Sequence, residues 1–131
     1  MARSAVGRAA GEAMWLPTTL LPRFGVAWEA ADDQHITARF ILDGSSVDLH
    51  YALAEDGRIR SVVFDRWATQ TAADPGAGIR SAARSPATAA SAGSPVPSAG
   101  RIGWFYETNR WSQGEFFRFQ LTALELTAST P

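Results

Sequence analysis

The sequence predicts a mainly β domain of the α+β class, an antiparallel sheet of about six strands with one N-terminal helix packed on it. Three observations carry this. Residues 34–42 and 47–53 alternate apolar and polar side chains, the period of half-buried strands. Turn-forming residues, Asp43-Gly44-Ser45-Ser46 and Glu55-Asp56-Gly57, separate these runs from each other and from a third run ending near Asp65. Helical spacing of small apolar residues occurs at the N-terminus, before Pro17.

Residues 1–24 read as this helix and a Trp-Pro segment. Ser4 can cap a helix running to about Met14, with Val6, Ala10 and Met14 along one stripe and Ala5, Ala9 and Ala13 beside it. Gly7 and Gly11 weaken it, and so short a helix needs the sheet as its support. Trp15-Leu16-Pro17 ends it, because the residue before a proline is pushed out of helical geometry.

Residues 25–67 read as a β meander. A first strand at 26–30 places Val26 and Trp28 on one face. In the next, Ile36, Ala38, Phe40 and Leu42 face one way; in the third, Val47, Leu49, Tyr51 and Leu53 do. A four-residue turn over 43–46 sets Leu42 against Val47, Phe40 against Leu49 and Ala38 against Tyr51. A three-residue hairpin with Gly57 left-handed then pairs Leu53 with Ile59, Tyr51 with Ser61 and Leu49 with Val63. Phe40, Leu49, Tyr51 and Val63 therefore share one buried face, with Val62 and Phe64 on the other. Residues 68–96 are alanine-rich and hold no aromatic residue, which predicts a disordered segment. Residues 97–127 resume alternation as two C-terminal strands, the second running from Glu115 to Thr127 and forming the longest of the sheet.

Length and composition bound the function. The 131 residues suit one domain, and 46% hydrophobic content suffices for a core. Twelve basic residues, all arginine, balance 13 acidic ones without a basic run, so nucleic acid is not an expected partner. The absence of lysine beside so much alanine reads as codon bias of a GC-rich gene. Without cysteine, disulfides and thiolate chemistry are excluded. No apolar run is long enough for a membrane span, and the N-terminus lacks a secretory h-region, which predicts a cytoplasmic location.

Several blocks together resemble a known pattern: residues 11–22 (GEAMWLPTTLLP), 25–29 (GVAWE), Asp65-Arg66-Trp67, residues 97–100 (PSAG), Gly103-Trp104-Phe105-Tyr106 and Phe116-Phe117-Arg118. They are similar to the C-terminal half of a family of uncharacterised bacterial proteins, a domain of unknown function. The resemblance implies a strongly curved sheet with helices on its concave side, in the outline of periplasmic lipoprotein carriers. It supplies no catalytic residue. It also implies strands upstream of the Trp-x-Pro block, so that Met1 begins inside a truncated domain with an open sheet edge. Residues 68–96 keep the spacing of the family but not its residue character, as a compensated frameshift would leave them.

Two sets of side chains are candidates for function. His50 lies beside Asp48 on the polar face, opposite Arg39 in the proposed register, and these three define an enzyme reading. An ordinary cross-strand polar cluster on a solvated sheet face is the favoured account of them, since neither a nucleophile nor a pocket accompanies the three. Two histidines without ligand spacing, and aspartates placed in turns, predict no metal, and no cofactor motif is present. The aromatic residues support a second reading, a non-catalytic binding module for an apolar or lipid-like small molecule. Its cup, beneath the Val6, Ala10 and Met14 stripe, is lined by Trp28, Phe40, Trp104 and Phe119. With the sheet edge open, an edge-to-edge homodimer or the missing upstream half is the expected partner.

Overall fold

A computed structural model describes residues 3–67, 78–91 and 94–123. Helix α1 (Arg3–Glu12) is followed by short 3-10 turns at 13–15, 17–20 and 22–24, and α2 (Trp111–Gly114) is a single turn. Seven strands, β1 (Ala27–Ala30), β2 (His35–Leu42), β3 (Ser45–Leu53), β4 (Ile59–Trp67), β5 (Gly78–Ser91), β6 (Ser94–Trp104) and β7 (Glu115–Gln120), form one open antiparallel sheet in strict chain order. The mainly β class, the antiparallel pairing and the N-terminal helix against the sheet are as the patterns predict.

Helix α1 lies on β3 and β4. Val6 and Ala10 of α1, continued by Ala13 of the first 3-10 turn, form the inner stripe and pack with Leu49, Tyr51, Val62 and Phe64 of the sheet. Small residues let the helix approach closely: a Cβ at Gly11 would stand 2.5 Å from Phe64 Cζ and 2.7 Å from Cε1. The glycine that lowers the intrinsic helix propensity of this segment thus seats the helix on the aromatic ring beneath it. The Trp-Pro segment ties the helix to the far strands. The Trp15 indole donates to the Pro97 carbonyl at 3.3 Å, and its ring meets Phe119 edge-on at 4.9 Å. Trp28 donates to the Leu20 carbonyl at 2.9 Å, fastening β1 to the same segment.

The registers differ from those expected, with different consequences. The β2–β3 turn has two residues, Asp43 and Gly44, both with positive φ, so Phe40 pairs with Val47, Ala38 with Leu49 and Ile36 with Tyr51. A shift of two residues keeps every inward side chain on its face. The β3–β4 connection does have Gly57 left-handed and Leu53 opposite Ile59. One step further a bulge intervenes: Ala52 pairs with Ser61, leaving Arg60 as the extra residue, and Tyr51 then pairs with Val62. The bulge inverts the rest of β4. Val62 and Phe64 join the core with Leu49 and Tyr51, whereas Val63 pairs with His50 on the other face, contrary to the expected set of Phe40, Leu49, Tyr51 and Val63.

The C-terminal half carries two further corrections. Within the segment expected to be disordered, residues 78–91 and 94–96 are strand, β5 pairing with both β4 and β6. Ladder hydrogen bonds come from the backbone and need no large side chain, which composition alone does not reveal. The remainder of that segment lies outside the described residues. The last strand ends at Gln120 and is among the shorter ones, with the Leu121 N–H still donating to the Ser98 carbonyl; residues 124–127 of the expected strand lie outside the described residues.

Candidate functional site

The same inversion of β4 builds a cavity on the face turned away from α1. Ala52 of β3 and Ser61 of β4 alternate with the core residues Tyr51 and Val62, and so point to the opposite side. Arg101 of β6 pairs with Arg118 of β7 and alternates with Ile102, which packs on the core. Ala52, Ser61, Arg101 and Arg118, with Arg60, Ala99, Gly100, Tyr106, Glu107 and Phe119, line a half-open cavity of about 750 Å³. That volume falls within the range of small-molecule sites.

Local backbone features aim the wall residues. Arg60 is the bulged residue of β4, and bulges redirect side chains at such sites. Across the cavity a second bulge between Ile102 and Gly103 leaves Phe116 as the extra residue of β7, where its ring lies 5.5 Å from that of Trp104. The β6–β7 connection is pinched, since a Cβ on Gly103 would stand 2.8 Å from the Glu115 Cα. Phe105 and Glu107, on either side of Tyr106, both take left-handed φ values of 62° and 61°. Non-glycine residues in that region carry strain, which concentrates around functional sites. The Tyr106 ring is braced edge-on by Trp111 at 5.3 Å.

The electrostatics of the wall are cationic. Arg60, Arg101 and Arg118 face one wall glutamate, Glu107. Glu115 bonds to Arg118 and, at 3.2 Å, to Arg101; the Arg118 guanidinium, with Arg101 beyond it, holds the Glu115 carboxyl below its ordinary range. Arg60 has no hydrogen-bond or ion-pair partner among the described residues.

The side chains singled out from sequence are dispersed. Beneath α1 the space is filled by the core. Phe40 packs at the edge of that core, and Trp28 leans over Tyr51 with ring centroids 6.0 Å apart, 41% exposed. Trp104 lies against Phe116. Of the four, Phe119 lines the cavity. The polar cluster also separates, because the two-residue turn moves its register: Arg39 pairs with Asp48, making two bonds of 2.9 and 3.0 Å, while His50 Nδ1 lies 2.9 Å from the Thr37 hydroxyl. Asp48 and His50 line a depression of about 240 Å³ with Ser46, Val47 and Asp65. No hydrogen bond joins His50 to Asp48 or Ser46. His35 closes a turn, sharing the Asp32 carboxylate with the backbone N–H of Gln34. Among the described residues no group of three or more His, Asp or Glu side chains converges as metal ligands would.

Sequence reasoning missed Arg60, Arg101 and Arg118. Each reads as the polar alternate of a strand, and β4 and β7 come together only through strands whose pairing the sequence does not display. The one available signal was the bulge at Arg60, hidden because a three-residue hairpin accounts equally well for the apolar pattern.

Residues 1–126 match the profile of a family described as "Family of unknown function (DUF6920)". No curated protein and no solved structure matches the chain significantly.

Proposed function

The chain belongs to the DUF6920 family, and for this member we propose a non-catalytic binding module that takes an apolar or lipid-like small molecule. The observation that supports this is the cavity of about 750 Å³, with Ala52, Ala99 and Gly100 in its lining. A pocket with an apolar floor and a few convergent polar groups is the usual form of a small-molecule site. The site lies on the face away from α1, not under the helix. The dispersal of Arg39, Asp48 and His50 into two separate hydrogen-bonded pairs weighs against the enzyme reading, since a general base needs a nucleophile or substrate within reach.

The proposal carries a cytoplasmic location, a bacterial source and a relation to the C-terminal half of a longer, carrier-like family architecture. Among the described residues no helix is long and apolar enough to cross a membrane. Strand β1 is an edge of the sheet, and its outer ladder groups are suited to a second copy or to upstream strands. The test is a titration of the full chain with an environment-sensitive apolar dye. Saturable binding that Tyr106→Ala weakens, without loss of the β signature in circular dichroism, supports the reading; no saturable binding refutes it.

A further inference from the structure

We propose that the ligand carries an anionic head group on an apolar chain, and that Arg60, Arg101 and Arg118 hold the head. This rests on the binding reading above and specifies its chemistry. A row of paired positions runs across five strands: Ala52 opposite Ser61, Ser61 opposite Arg84, Arg84 opposite Arg101, and Arg101 opposite Arg118. Directly opposed residues in an antiparallel ladder have Cβ atoms about 5 Å apart, and like charges so placed destabilise the sheet. Arg101 and Arg118, directly opposed, therefore need counter-charge. Glu115 touches Arg101 and Arg118, and among the described residues no other carboxylate is bonded to either.

The cavity lies along this row, and Arg60 enters it from a separate direction. A β-bulge leaves Arg60 unpaired in the ladder, and it has no ionic partner among the described residues although it lines the same half-open cavity. An unpaired guanidinium beside a half-neutralised arginine row is the arrangement that recognises a planar or tetrahedral oxyanion, through several charge-assisted hydrogen bonds from fixed forks. Ser61, 5% exposed, lines the same wall and offers a hydroxyl donor to the same head. The lining of Ala52, Ala99 and Gly100 is left for a chain of methylenes. A polar uncharged ligand would leave the arginine row uncompensated, and a cationic one would add to its repulsion.

The test uses the full chain and four probes of equal chain length: dodecanoate, dodecyl phosphate, dodecanol and dodecyltrimethylammonium, titrated by calorimetry below their micellar concentrations. An ionic contact from Arg60 predicts that one or both anions bind about tenfold or more tighter than dodecanol. Preference between dodecanoate and dodecyl phosphate identifies which oxyanion the forks fit. Arg60→Gln, which breaks no hydrogen bond or ion pair among the described residues, should remove most of that preference while leaving dodecanol binding and the melting temperature unchanged. Equal affinity for dodecanol and the anions, or tighter binding of the ammonium probe, overturns the anionic head but leaves the apolar site standing. Failure of all four probes overturns both readings.

Discussion

The contact between Gly11 and Phe64 allows a prediction whose sign runs against helix propensity. In an exposed helix, Gly→Ala stabilises by about 0.8–1 kcal/mol. At position 11 the added methyl would stand 2.5 Å from Phe64 Cζ, well inside the separation of about 3.5–4.0 Å at which carbon atoms attract. Phe64 is 7% exposed and sits among Val62, Leu49 and the helix, so its ring has little room to withdraw. Forcing a methyl into a packed site costs about 1–3 kcal/mol. The two effects oppose each other, and the net result for Gly11→Ala is destabilisation of up to about 2 kcal/mol, or a fall in melting temperature of several degrees. Thermal denaturation by circular dichroism reads this directly. In a Phe64→Leu background the clash is relieved, so the same substitution should be neutral or stabilising there. A rise in melting temperature for Gly11→Ala in the wild-type chain would refute the close approach of α1 to β4.

Other substitutions test separate parts of the structure. Leu49 is fully buried at the centre of the core, so Leu49→Ala should cost about 2–5 kcal/mol in denaturant unfolding. The Tyr51 hydroxyl is buried without a hydrogen-bond partner among the described residues, and burial pushes its phenol well above the ordinary range. An unsatisfied buried donor costs about 1–3 kcal/mol, so Tyr51→Phe should be neutral or stabilising, and a clear loss would show that the hydroxyl is bonded. The Arg39 guanidinium holds the Asp48 carboxyl below its ordinary value of 3.8. Because the folded value lies under the unfolded one, this pair contributes stability above pH 3.8 that is lost as pH falls through the folded value. Arg39→Ala should therefore flatten the acid limb of a stability-versus-pH curve, and an unchanged limb would remove the pair from the account.

The strands legible in the sequence are those whose alternation is set by water on one side. β2 and β3 show it fully, and a two-residue slip in their turn left their faces correct because the period of a strand is two. β4 is apolar on both sides at Val62, Val63 and Phe64, all buried, so alternation could not say which face was which and a single bulged residue decided it. The aromatic residues were visible, but their partners were not: Trp15 finds Pro97 and Phe119 across more than 80 residues of chain. The candidate site was least legible of all. Arg60, Arg101 and Arg118 owe their proximity to strand order and two bulges, neither of which leaves a local mark in composition.

The tether between Trp15 and Pro97 bears on how the chain assembles. A sheet whose strands pair in strict chain order can grow hairpin by hairpin as each strand leaves the ribosome, with low loop-closure entropy at every step. The N-terminal segment cannot follow that schedule, because the carbonyl and ring it must reach belong to β6 and β7. Made first, α1 and the Trp-Pro segment are locked last, and until then the apolar face of the growing meander is only partly covered. That interval is when a nascent chain with an unpaired strand edge is most exposed to association with its neighbours.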